Sequence, residues 1–131
     1  MALDLVVANA IIAEAIRAAN AQQARITVAV VDLTGHLVAL ARMPGASPLT
    51  ADISHTKAQT AVLLAGDTRD FQMAAALATA VDLPLALIPG GILLHDDEGI
   101  QMGAVGVAGA APDVDDALGR AAAKAITLGN A

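Results

Sequence analysis

The sequence predicts an α+β fold, with an antiparallel sheet flanked by helices in a single domain over residues 1–131. Three observations carry that expectation. The elements follow in the order helix, hairpin, two helices, hairpin-like pair, helix, without the strand–helix alternation of a parallel sheet. The short β-branched runs come in neighbouring pairs with glycine between them. Finally, 131 residues suit one domain with a real core, and neither a linker nor an internal repeat divides them.

The first helix runs from about Asp4 to Gln22. Ile11, Ile12, Ala15, Ile16 and Ala19 form its apolar stripe, Asn9, Glu14, Arg17 and Asn20 face outward, and Asp4 is the expected N-cap. Arg25 to Asp32 (RITVAVVD) is a strand, Leu33-Thr34-Gly35 a turn, and His36 to Arg42 (HLVALAR) the returning strand. After the loop Met43 to Pro48 comes the central helix, Thr50 to Leu64 (TADISHTKAQTAVLL), with Gly66 as its stop. Thr68 is expected to cap a further helix, TRDFQMAAALATAV, with Phe71 as its large anchor and Met73 as core filler rather than a metal ligand. Leu85 to Leu94 reads as a strand broken by Pro89-Gly90-Gly91. His95 to Gly99 makes an acidic turn, and Ile100 to Gly109 returns, its glycines at 103, 106 and 109 implying close packing across it. Asp113 is the expected cap of the last helix, whose acids at 113, 115 and 116 and bases Arg120 and Lys124 suit the macrodipole and i,i+4 pairing.

The central helix holds the densest group of reactive side chains. At 100° per residue, Asp52, His55, Thr56 and Gln59 share a polar quadrant, and Asp52 and His55, at i,i+3, are spaced to bind a metal weakly, to pair as acid and orienter, or simply to pair on the helix surface. Lys57 instead lies with Ile53, Thr60 and Leu64, on the side assigned to the core or a subunit contact. It is either a snorkelling lysine on a packed helix, or one lining a ligand cavity as an anion anchor or with a lowered pKa. Arg42, at a strand end beside a Gly/Pro loop, is placed either for a surface ion pair or to clamp a carboxylate. Gly90-Gly91 is either a kink or a backbone N–H cradle for an anion. His36 is a polar strand-end residue or a ligand. The run His95-Asp96-Asp97-Glu98 reads as a solvated turn, so no metal site is assigned.

Composition narrows the classes. Hydrophobic residues make up 56% of the chain, yet Phe71 is its one aromatic, so small aliphatic residues fill the core and homo-oligomerisation is expected. The net charge of −6, with no basic cluster and no stacking platform, argues against nucleic acid. No apolar run is long enough to span a bilayer. The N-terminal stretch, with Asp4 and no basic region, does not read as a leader, so a cytoplasmic location is expected. Without cysteine there is no disulfide, thiolate nucleophile or cysteine metal site. Metalloprotease, P-loop and Rossmann motifs are absent.

Several stretches in order, AVVDLTGHLVALARMPGA, DISHTKAQTA, IPGGILLHDDEGIQMGAVGVAGA and DVDDALGRAAA, resemble the GlcG/HbpS-like family, which includes the C-terminal domain of PduO-type proteins and is often labelled haem-degrading. The resemblance covers about Ile12 to Ile126. It implies an antiparallel sheet of about five strands and a homo-oligomer as large as an octamer. Two functions follow. The first is binding of haem or a related tetrapyrrole, with an imidazole among His36, His55 and His95 as candidate axial ligand; the chain has no Tyr or Cys for that bond, which leaves His, Met or Lys to serve. The second is a small catabolic enzyme (an acid–base lyase, isomerase or hydrolase) acting on an anionic carboxylate metabolite. There Arg42, Gly90 and Gly91 hold the carboxylate while Asp52, His55 or Lys57 moves protons. A scaffold oligomer without a site is the third reading.

Overall fold

The computed structural model describes residues 3–126. Its helices are α1 (Leu5–Ala21), α2 (Leu49–Leu64), α3 (Ala75–Ala80) and α4 (Pro112–Ala123), and its strands are β1 (Thr27–Asp32), β2 (Leu37–Arg42), β3 (Gly91–His95) and β4 (Gln101–Ala108). All strand pairs are antiparallel in the order β2-β1-β4-β3. Among the described residues the sheet thus has four strands, in keeping with the antiparallel sheet of about five that the resemblance implied. α2 lies across one face, and α1 and α4 cover the other. No helix among the described residues is long and apolar enough to cross a membrane.

Strand alternation sorts the core between the two faces. Val28, Val30, Ile92, Leu94, Val105 and Val107 turn toward α1 and α4, while Val31, Leu93 and Ala104 meet Ala58 and Ala61 of α2. α2 can approach this closely because β4 has no side chain at Gly106, where a Cβ would run into the Ser54 carbonyl. At Gly103 and Gly109 the close neighbour is the backbone of β1 and the residues just before it. α1 begins as expected, with the Asp4 carboxylate accepting the Val7 amide at 2.9 Å.

The stretch between α2 and β3 departs from the sequence expectation. α2 is closed by Ala65, at φ 52°, and not by Gly66. Gly66 instead lets the half-buried Phe71 ring lie against its Cα, so Phe71 packs on a loop rather than anchoring a helix. The helix expected over residues 68–81 is split into a 3₁₀ turn, Thr68–Phe71, and the six-residue α3. Thr68 caps neither: its hydroxyl accepts the Gly91 amide at 2.9 Å and reaches the Ile88 carbonyl at 2.6 Å. Met73 is 98% exposed and fills no core. Residues 85–88 are apolar but join no strand, because side chains already meet their backbone. Ala86 N donates to Thr60 Oγ1 at 2.9 Å, and Thr68 takes Ile88 O. β3 starts only after Pro89 and Gly90. Its outward amides are met in turn, Gly91 N by Thr68 Oγ1 and Leu93 N by Asp67 Oδ1 at 2.9 Å. At α4, Pro112 sits in the first turn with Ala111 as N-cap, so Asp113 lies inside the helix and is not its cap.

Candidate functional site

Lys57 is the largest fully buried side chain among the described residues, 1% exposed. The helical periodicity that turned it from the polar quadrant carries it past the start of β3. There Gly90 and Gly91 leave the room it needs: a Cβ at Gly90 would meet the lysine stem, and one at Gly91 would meet its carbonyl and Thr68. Nζ donates to the Val107 carbonyl at 2.8 Å and to Asp115 Oδ2 at 3.1 Å. Asp115, 2% exposed, also accepts the Ala110 amide through Oδ1 at 2.9 Å. Burial pushes its carboxyl above the ordinary value, against the pull of the Lys57 ammonium and the Ala110 N–H. The lysine thus joins the central helix to the end of β4 and the first turn of α4. The space beside Gly90 and Gly91 is occupied by protein.

Beside this pair runs a half-exposed network. Arg120 bonds Asp116 through Nε at 2.9 Å and Asp67 Oδ2 through Nη2 at 2.9 Å, and Arg69 Nη1 lies 3.3 Å from Asp116 Oδ2. The i,i+4 pairing of Asp116 and Arg120 is the one expected from sequence. Asp115 is the residue that sequence reasoning missed. Read as an acid suited to the helix dipole, it is instead the buried counter-ion of a lysine 58 positions away, and no local pattern marks a pair of that separation.

The three histidines have three different surroundings. His55 projects from α2 with Nε2 enclosed and without a hydrogen-bond partner. Asp52, in the first turn of α2, is exposed, and no hydrogen bond joins it to His55 among the described residues. His95 ends β3 and is exposed. His36 precedes β2, and its position is tied down. Asp32 Oδ1 accepts the Thr34 hydroxyl, the Thr34 amide at 2.9 Å and the His36 amide at 3.1 Å. The Thr34 hydroxyl bond, followed by the two amides, holds the Asp32 carboxyl below its ordinary range. Thr34 Oγ1 also lies 2.7 Å from His36 Nδ1. A hydroxyl has one proton, and the carboxylate, which only accepts, takes it. Nδ1 must therefore donate to Thr34, which leaves the lone pair of a neutral imidazole on Nε2, free to bind a metal. All three partners lie within the five residues Asp32 to His36, of which the sequence reading singled out only His36.

Thr34 also lines an open cleft of about 460 Å³ between the β1–β2 turn and the second half of α2, walled by Leu33, Gly35, Gln59, Val62, Leu63, Leu83 and Pro84. Gln59 Nε2 braces its floor by donating to the Gly35 carbonyl at 3.1 Å. A smaller apolar hollow of about 170 Å³, bounded by Leu64, Leu77, Val81 and Leu85, adjoins it through Leu63 and Leu83. Arg42 lies elsewhere. It pairs with Thr27 at the far end of β2, and its Nη1 donates to the Ala46 carbonyl at 2.8 Å. Because β2 and β3 are the two edges of the sheet, Arg42 and Gly90-Gly91 stand three strand spacings apart, about 14 Å. One small carboxylate cannot bridge them. The same separation keeps His36 and His95 from sharing a metal, and among the described residues no group of three His, Asp or Glu side chains could hold one.

Comparisons with known proteins agree with this fold. A family model described as haem degrading protein, HbpS-like, matches residues 3–124. Protein GlcG of Escherichia coli (strain K12) is 40% identical over 65 residues, 50% of this chain and 48% of that protein, so the match spans about half the length of the curated relative. The crystal structure of a PduOC–haem complex superposes with a TM-score of 0.88 at 25% identity, covering 96% of both chains. Streptomyces reticuli HbpS, solved as a double mutant, superposes at 0.85 with 32% identity, covering 94% of this chain and 86% of that one.

Proposed function

The chain belongs to the HbpS-like family, and from that premise we propose that it binds haem or a related tetrapyrrole through the Nε2 atom of His36. The observation that carries the reading is the Asp32–Thr34–His36 relay, which leaves the lone pair of an exposed imidazole on Nε2, while Thr34 of the same relay lines an apolar cleft. The residues there fit the group: an imidazole with a fixed tautomer, and leucine, valine and proline walls for one face of a flat macrocycle. Haem supplies iron-centred redox and ligand-binding chemistry when bound. The chain's own part is to bind, orient and exclude water. Asp32 and Thr34 hold the ring of His36, Leu33 and Leu63 desolvate one face, and Gln59 keeps the turn in place. His55 serves less well, because its Nε2 is already enclosed by protein. A cleft of about 460 Å³ covers one face only, so the second face would be covered by another copy in a cytoplasmic homo-oligomer.

Hemin titration followed in the Soret band tests this. A sharp, saturable shift is expected, lost in His36→Ala and weakened in Thr34→Val, with His55→Ala and His95→Ala close to the parent. An unchanged spectrum in His36→Ala overturns the assignment.

A further inference from the structure

The chain has seven basic residues against thirteen acidic ones. Arg17, Lys57, Arg69 and Arg120 all meet carboxylates. Among the described residues the exposed Lys124 meets none, and neither do Arg25 and Arg42. Both arginines line the same cleft, of about 460 Å³, between the end of α1 and the loop after β2. Asn20 shares this lining, and Ile16, Met43 and Pro44 form an apolar wall.

Two features hold the arginines in place. The stem of Arg25 lies against Gly45, where the chain takes φ +94° and a Cβ would press on it. Arg42 is tethered by one nitrogen to the Ala46 carbonyl, leaving its other donors unused. Two like charges sharing a cleft repel each other, and an anion between them removes that cost. Arginine's planar fork matches a carboxylate, and the Asn20 amide adds a further donor.

We propose that this cleft is a binding site for a small organic carboxylate with a short apolar tail, the head group held by Arg25, Arg42 and Asn20 and the tail lying on Ile16, Met43 and Pro44. The site is separate from the one around His36. The six residues of β2 put about 20 Å between them, so neither proposal depends on the other.

Isothermal titration of the full chain with hexanoate, 1-hexanol and inorganic phosphate tests it. Hexanoate is expected to bind saturably, more weakly as salt rises, whereas hexanol, which lacks the charge, does not bind. Arg25→Gln and Arg42→Gln should each weaken hexanoate at least about tenfold, while Arg69→Gln, in the 3₁₀ turn beside the opposite edge strand β3 and paired with Asp116, changes nothing. If Arg42→Gln loosens its loop, Arg25→Gln and the arginine Nε–H resonances of the parent chain on titration still decide the question. No hexanoate binding, affinity unchanged in Arg25→Gln, or phosphate binding more tightly than hexanoate would each overturn the proposal.

Discussion

Replacing Lys57 with methionine keeps the length of the side chain and removes its charge and all three donors. Two acceptors are stranded. The Val107 carbonyl loses its 2.8 Å bond, and Asp115 keeps only the Ala110 amide in a site 2% open to water. Removing one member of a buried pair costs about 3–5 kcal/mol, because the partner stays behind uncompensated. For a domain of this size that is a large share of a total stability of about 5–15 kcal/mol. Asp115→Asn should cost about 3 kcal/mol for a complementary reason. Asparagine has one oxygen, so either the Ala110 amide or the Lys57 ammonium loses its acceptor. The double variant Lys57→Met/Asp115→Leu strands fewer groups, and should be destabilised by less than the sum of the corresponding single variants.

The assay is urea unfolding followed by far-UV circular dichroism at pH 7 and one fixed protein concentration, since association would shift the midpoint. The pH dependence supplies a second arm. The Asp115 carboxyl is raised in the fold by burial, so the native state binds the proton more tightly than the unfolded chain does. Its contribution to stability therefore falls as pH rises from the ordinary value of 3.8 toward the raised one. Asp115→Asn should flatten that slope. Single variants within 0.5 kcal/mol (roughly the usual scatter for surface changes) of the parent, or strictly additive costs in the double variant, would refute the idea of a coupled ion pair.

Other outcomes follow from the same geometry. Gly106→Ala should cost about 3 kcal/mol or more, or prevent folding, because a Cβ there collides with the Ser54 carbonyl and must lift α2 from the sheet; thermal melts measure it. Thr68→Val removes the acceptor of Gly91 N and the donor to Ile88 O, and should lower stability by about 1–3 kcal/mol. Thr34→Val should let the Asp32 carboxyl titrate closer to its ordinary value in a carbon-detected NMR pH series, since the Thr34 hydroxyl is the main reason it is held low. The ordering that Asp32 gives the turn is present above that ordinary value and is lost as pH falls through the depressed one.

Much of this architecture was legible in the sequence, and the exceptions have a common cause. α1, with its Asp4 cap, the β1–β2 hairpin and the inward side of Lys57 all rest on local periodicity or a residue three or four positions away. The stretch from Thr68 to Ile88 was misread because its backbone bonds go to distant side chains, Thr60 and Thr68 among them, which no local pattern announces. The apolar run LALI looks like a strand, but it lacks a partner strand. At the site, the relay around His36 was available within five residues, whereas Asp115, the partner of Lys57, lies 58 positions further along the chain. The meeting of Arg25 with Arg42 was implied by the hairpin, whose strands begin and end with them, but the sequence reading weighed Arg42 alone.

The side-chain capping of β3 sets a direction for assembly. A sheet grows by offering unused amides along a border strand, and on β3 the outward amides of Gly91 and Leu93 already belong to Thr68 and Asp67. A newcomer would have to break both bonds and displace the 3₁₀ turn before gaining any of its own. That flank is therefore a terminus of the sheet. Any continuation of the sheet from one copy into another, ordered or pathological, has to pass through β2.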